Sequence, residues 1–286
     1  MTFTNVFIPG AGFMGSAIGY LIASKTDASV TLYDIYPESL QKAQATVDRM
    51  GKSSLDKGFI TADKLQALKG RIRYSDDRRE ASAADLVIEA IAEDMKLKQE
   101  LFAHLDQICP DKAIFASNTS SLSITKLAAA TGRTDRFIGM HFFSPAHIMK
   151  LLELIAGLDT SAETLEKIRS LGEALGKTVI NSRDMPGFIT TRLGFVLINE
   201  AAFALMEGLS TAEQIDTGMT LGYNHPMGPL ALADFVGLDI CLHIMETLYQ
   251  GFGDPKYRAC PLIRQLVEAG HLGRKTGRGF YTYEKK

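Results

Sequence analysis

The sequence predicts an α/β fold, a doubly wound sheet followed by an all-helical C-terminal domain, and three observations carry that prediction. Short β-branched runs alternate with longer helical patterns through the first two-thirds of the chain, which implies parallel strands covered by helices. A glycine-rich turn, GAGFMG, directly follows the first of those runs. Beyond the Pro-Gly pair in SRDMPGF, residues 182–188, only helical periods remain, so the domain boundary is placed there, between 1–185 and 186–286.

NVFIP at 5–9 reads as the first strand; Pro9 removes a ladder donor, which is tolerable only where pairing is about to stop. SAIGYLIAS then has the character of a helix. SVTLY, RIRY, ADLVIEA, KAIFAS and RFIGM repeat the strand pattern, and MKLLELIAG and KTVIN add two strands around a helix at about 161–175, extending the same parallel sheet. The C-terminal part holds a helix in GFITTRLGFVLINEAAFALMEGL, a shorter one near TAEQIDTGMTLG and a long one near GPLALADFVGLDICLHIMETLYQ. Its apolar content is high for a segment of about one hundred residues, so some helix faces are expected to pack on a second copy in a homodimer. The alternative is that they pack on one another and on the first domain.

A length of 286 residues accommodates two ordinary domains, and 46% hydrophobic with 22% charged residues is an ordinary globular composition. A net charge of −2 argues against general nucleic-acid binding, which needs a basic excess. The best membrane candidate, LGFVLINEAAFALMEGL at 193–209, is interrupted by Asn199, Glu200 and Glu207 and reads as a buried helix. Cys109, Cys241 and Cys260 are odd in number and lack ligand-like spacing, which points to a reduced compartment and inert thiols. The opening MTFTNVFIPG shows no basic leader, so a cytoplasmic protein is expected.

Gly10, Gly12 and Gly15 form G-x-G-x-x-G between a strand and a helix, with Phe13 and Met14 between them. The first glycine allows the turn, the second admits a pyrophosphate to the backbone, the third lets helix and strand pack, and the helix N-terminus offers amides to the anion. This is a Rossmann-like dinucleotide site, although such a triplet also serves as a purely structural turn. Asp34 closes the second strand, where a carboxylate accepts from the adenosine ribose hydroxyls. A 2′-phosphate there would be repelled by about 4 kcal/mol at 4 Å and an effective dielectric of 20, so NAD is expected over NADP.

Asn118, Thr119, Ser120 and Ser121 follow the strand KAIFAS, at a carboxyl end where ligands bind in open α/β sheets. A helix N-cap explains the serines equally well. His141 also follows a strand, and Glu153 lies twelve residues later in another. A carboxylate on one imidazole nitrogen fixes the tautomer and stabilises the cation formed when the other nitrogen takes a proton. A lone histidine is more commonly a core residue, and the upstream nucleotide turn and the nearby acid favour the proton-acceptor reading. His147 has no such partner and reads as structural; no metal-ligand spacing joins these residues.

GAGFMG, LVIEAIAEDMKLKQELF, ASNTSSLSIT, GMHFFSPA, MKLLELI, NHPMGPL and LGRKTGRGFY, in this order along essentially the whole chain, resemble the 3-hydroxyacyl-CoA dehydrogenase family, most closely its bacterial 3-hydroxybutyryl-CoA dehydrogenase branch. The resemblance implies a Rossmann-like domain, a dimerising helical domain, and reversible NAD-linked oxidation of (3S)-3-hydroxyacyl-CoA to 3-oxoacyl-CoA. It implies His141 as general base, Glu153 as its orienting partner and Ser120 on the substrate oxygen. Glu93 and Lys98 match contacts to the nicotinamide-side ribose, and Asn118 and Lys275 match further cofactor positions. Without the resemblance, Glu93 and Lys98 read as an acid and a lysine on an exposed helix, and Lys275 as part of a solvated basic tail.

Two positions depart from the family pattern. Ser144 stands in HFFSP where the family has HFFNP, at a cofactor-site asparagine, and Thr191 stands in PGFITTR where it has PGFVVNR, at the substrate-side asparagine. A hydroxyl replaces an amide in each case, a loss of about 1 kcal/mol per hydrogen bond, against a factor of about 10²–10⁴ for a missing general base. The chemistry is therefore expected to survive, and the threonine methyl would suit a four-carbon substrate. Residues 49–73 carry seven Lys or Arg against two Asp in a slightly acidic chain, a local field that would draw a phosphate-rich coenzyme A; Lys57 matches a family contact to it. A solvated helix hairpin gives the same count. The rival functions are a dehydrogenase of a free hydroxy or sugar acid and a non-catalytic NAD-binding structural protein.

Overall fold

The computed structural model describes residues 3–284. Its contacts divide the chain into two compact units, Met1–Met185 and Pro186–Lys286.

The first unit is built on strands β1 (Asn5–Pro9), β2 (Ser29–Tyr33), β3 (Ile72–Ser75), β4 (Leu86–Glu89), β5 (Ile114–Ser117), β6 (Phe137–Phe142), β7 (Leu151–Ala156) and β8 (Thr178–Arg183). Helices α1 (Phe13–Lys25), α2 (Pro37–Asp56), α3 (Ala62–Gly70), α4 (Met95–Asp106), α5 (Ile124–Ala128) and α6 (Ala162–Ala174) connect and flank them. The eight strands form one sheet in the order β3-β2-β1-β4-β5-β6-β7-β8. The order reverses between β1 and β4, which makes a crevice at their carboxyl ends. Side chains of β4, β5 and β6 are buried throughout, as expected of strands covered on both faces.

The expectation of a wholly parallel sheet is corrected at one junction, where β7 runs antiparallel to β6. Residues 143–150 join these strands directly, and so short a link without a helix can return the chain only in the opposite direction. The helices start where side chains satisfy their first amides: Asp94 accepts from the Leu97 N–H, Ser123 from Lys126 and Ser161 from Thr164. Asp184 supports α5 from the end of β8, accepting from the N–H groups of Ile124 and Thr125 at 3.0 and 2.8 Å and from the Ser123 hydroxyl at 2.8 Å.

The second unit contains α7 (Thr190–Met206), α8 (Ala212–Gly222), α9 (Pro229–Val236), α10 (Leu238–Phe252) and α11 (Pro261–Glu268). The long helix expected over 228–250 is two helices, broken at Gly237, whose φ of +110° suits glycine alone. A Cβ there would also lie 2.9 Å from Asp239 Oδ1 and 3.0 Å from Lys275 Nζ. No described helix is long and apolar enough to cross a membrane. Burial pushes the thiols of Cys109 and Cys241 up to about 12, which keeps them protonated and unreactive.

Two buried aspartates organise the second unit. Asp216 accepts from the N–H groups of Leu230 and Ala231, both at 2.9 Å, and from the Tyr281 hydroxyl at 2.7 Å, so it serves the N-terminus of α9. Asp234 accepts from the N–H groups of Phe280 and Tyr281, again at 2.9 Å, and from the Tyr283 hydroxyl at 3.0 Å. It thereby fastens the C-terminal segment to α9. Asp234→Ala would strand these donors, and urea unfolding is expected to show a loss of about 2–4 kcal/mol; a change within about 0.5 kcal/mol would remove Asp234 as the fastening.

Candidate active site

The glycine turn sits at the β1–β4 crevice. Gly10 has φ +100°, and a Cβ on it would lie 2.4 Å from the Ala90 carbonyl oxygen; one on Gly15 would lie 1.8 Å from the Gly10 carbonyl oxygen. A Cβ on Gly12 would meet nothing within 4 Å. The outer glycines are therefore required by backbone packing, while the middle one leaves its space open for a ligand. Phe13 begins α1, whose first turn carries no acid to repel an anion. Asp34 Oδ2 accepts from the Ala11 N–H at 3.0 Å and Oδ1 from the Tyr36 N–H at 3.1 Å, which aims the carboxylate across the turn. A cleft of about 670 Å³ runs from Gly12 and Asp34 past Tyr36 to Ile91 and Leu97. These residues fit a dinucleotide, with apolar walls beside the Asp34 carboxylate.

The Glu93–Lys98 pair differs from the exposed-helix alternative. Lys98 is 1% exposed, and its ammonium donates to Glu89 Oε1 at 2.6 Å, approaches Glu93 Oε2 at 3.2 Å and reaches the Ile91 carbonyl at 3.4 Å. Lys98 is thus enclosed between two carboxylates, with Glu93 the more exposed of them. Glu89 was not singled out from the sequence, although an acid ending the apolar run LVIE at a carboxyl end was a usable signal. Its carboxylate also accepts from the Ser117 hydroxyl at 2.5 Å and the Ile91 N–H at 2.7 Å. Burial pushes the Glu89 carboxyl above its usual range, opposed by Lys98, Ser117 and the Ile91 amide.

Glu93 also organises the loop after β5. Its Oε1 accepts from the Thr119 hydroxyl at 2.5 Å and from the Ser120 N–H at 2.9 Å. The helix cap proposed as the alternative for these serines falls instead on Ser123, so Ser120 lies in the loop before the helix. Asn118 Oδ1 accepts from the Phe142 N–H at 2.9 Å, tying this loop to the end of β6 beside His141.

His141 and Glu153 face each other directly in the β6–β7 register. His141 Nδ1 lies 3.2 Å from Glu153 Oε2 in a buried contact. An ionised carboxylate can only accept, so in this contact Nδ1 is the donor and Glu153 the acceptor. The Phe143 ring packs on the imidazole with centroids 4.6 Å apart. Among the described residues no cluster has the make-up of a metal site.

The remaining expected residues belong to other elements. Ser144 is exposed in the β6–β7 connection. Lys57, at the end of α2, lines a second cavity of about 470 Å³ with Lys25, Ser53, Tyr20 and His147. His147 packs edge-on against Tyr20, and burial, then the Lys177 and Lys57 charges, hold its pKa below the usual range. The field there is positive. Thr191 and Lys275 belong to the second unit: Thr191 in the first turn of α7, Lys275 donating to Asp239 Oδ1 and Oδ2 at 2.5 and 2.7 Å.

Residues 5–185 match the family profile described as 3-hydroxyacyl-CoA dehydrogenase, NAD binding domain, and residues 187–283 match that of the 3-hydroxyacyl-CoA dehydrogenase C-terminal domain. A probable 3-hydroxybutyryl-CoA dehydrogenase of Bacillus subtilis is 49% identical over 286 residues, covering 100% of this chain and 99% of the relative. The mitochondrial hydroxyacyl-coenzyme A dehydrogenase of Homo sapiens is 38% identical, covering 98% of this chain and 91% of its own. The crystal structure of (S)-3-hydroxybutyryl-CoA dehydrogenase from Ralstonia eutropha superposes with a TM-score of 0.96 at 47% identity, over 99% of this chain and 100% of that one. The chain belongs to the 3-hydroxyacyl-CoA dehydrogenase family of NAD-dependent oxidoreductases.

Proposed function

We propose that the protein interconverts (3S)-3-hydroxybutyryl-CoA and acetoacetyl-CoA, with His141 as general base. The observation that carries this reading is the buried His141–Glu153 pair at the carboxyl end of β6, with Nδ1 committed to the carboxylate. Nε2 takes the proton of the 3-hydroxyl during oxidation and returns it during reduction. Glu153 stabilises the imidazolium while it exists, so proton transfer contributes a factor of about 10²–10⁴. NAD supplies the acceptor for the hydride from carbon 3. Gly12 and the start of α1 receive its pyrophosphate, Asp34 its adenosine ribose and Glu93 its other ribose, while Ser120 holds the substrate oxygen. Asn118, Ser144 and Lys275 keep the cofactor roles, and Thr191 the substrate role, that the family pattern assigns to their positions.

The positive cavity at Lys57 and His147 supports a coenzyme A ester over a free hydroxy or sugar acid, which has no phosphates to place there. Exposed Leu193, Leu209, Leu221, Tyr223 and Phe235 on the second unit support a homodimer formed through its helices. Free, buried cysteines support a reduced, cytoplasmic setting, and the net charge of −2 argues against general nucleic-acid binding.

His141→Ala is expected to slow acetoacetyl-CoA reduction by NADH by about 10²-fold or more; a variant as fast as the parent would remove His141 from the mechanism. Asp34→Ala removes the charge that opposes a 2′-phosphate, so kcat/KM for NADPH relative to NADH should rise by about tenfold or more. An unaltered ratio in initial-rate measurements would show that Asp34 does not choose the cofactor.

A further inference from the structure

Glu89 closes β4 with its side chain fully out of water, and the reaction as proposed makes no use of it. Burying a carboxylate and an ammonium is costly, and a buried ion pair is often no more stabilising than apolar residues of the same volume. Stability alone therefore gives no reason for Glu89 and Lys98 to occupy the end of a central strand. Their location does. In a doubly wound sheet the adenosine half of a dinucleotide lies over the strand that carries the ribose-binding acid, here β2 with Asp34, and the other half lies past the glycine turn over β4 and β5.

A continuous line of contacts begins at that second half. The Ser117 hydroxyl and Ile91 amide hold Glu89, Glu89 holds the Lys98 ammonium at 2.6 Å, and Lys98 faces Glu93 Oε2 at 3.2 Å. Glu93 Oε1 in turn accepts from the Ser120 amide at 2.9 Å. Of these acids, Glu93 alone reaches the surface, its side chain being 32% exposed against 0% for Glu89, and it follows Ile91 and Ala92, which line the cleft. We infer that Glu89 is a positioning residue: through Lys98 it holds the Glu93 carboxylate at the far ribose of the dinucleotide and, through Glu93, the Ser120 backbone at the substrate. The inference rests on the dehydrogenase reading of the site. Without Glu89, Lys98 would lose the partner that fixes its ammonium, and Glu93 would be free to swing out of the cleft.

The test pairs Glu89→Leu with Lys98→Met, which replaces the buried ions by apolar groups and removes the hold on Glu93, and sets beside it Glu89→Gln, in which Lys98 is intact and any loss belongs to Glu89. NADH binding is followed by cofactor fluorescence, which the absence of tryptophan leaves unobscured, and ADP displacement reports the adenosine end alone. The expected result is a Kd for NADH raised by about tenfold to a hundredfold with the ADP constant within about twofold of the parent. NADH affinity equal to the parent's would overturn the proposal, and so would parallel losses for NADH and ADP, the signature of a damaged fold. Should the double variant not fold, Glu89→Gln, which keeps the volume and one acceptor, decides by the same constants. Neither titration needs turnover, so a parent protein inactive on acetoacetyl-CoA would refute the activity separately.

Discussion

The antiparallel pairing of β6 with β7 is the constraint on which the candidate site depends. In a parallel neighbour the residue opposite His141 would be set by a crossover of a dozen or more residues. Here the chain turns back within residues 143–150, and the register places Glu153 directly across from His141 on the same face of the sheet. Both side chains are buried, so the carboxylate has little competition from water for the imidazole proton. Glu153 is paired to β6 on one side and to β8 on the other, while His141 is paired to β7 just beyond the last β5–β6 pair at Gly139, so a rigid ladder holds the carboxylate against the imidazole.

The polar groups buried in this protein fall into two kinds. Asp216 and Asp234 in the second unit accept from backbone amides and tyrosine hydroxyls, with no cation beside either carboxylate in those bonds. They complete helix ends and hold the C-terminal segment, a task in which a carboxylate is simply the best acceptor. Glu89, Lys98 and Glu93 instead alternate in charge and lead from the sheet interior toward the surface. Such an arrangement is costly to desolvate, and its worth lies in fixing geometry.

The glycine turn shows how much a short motif can carry. Its outer glycines meet backbone atoms of Ala90 and of Gly10 itself, whereas the middle one faces open space, so close backbone packing requires the outer two and not the middle one. The apolar strands and the helical character of the C-terminal part were legible for the same reason. Each follows from local stereochemistry or from periodicity along a few neighbouring residues. Lys98 was not legible in the same way: its spacing suits an exposed helix, and only Glu89, nine residues earlier on another element, draws it inside.

What the chain determined by itself is the identity and order of its strands and helices, the nucleotide turn, and the pairing of an acid with a histidine as a chemical possibility. Those depend on side-chain period and on the backbone freedom of glycine and proline, which act over a few residues. Tertiary structure alone decided the reversed direction of β7, the split of the expected long helix at Gly237, and the burial of the Glu89–Lys98 pair. Each of these is settled by contacts between segments distant in the chain, where the free energy of packing and desolvation outweighs local preference.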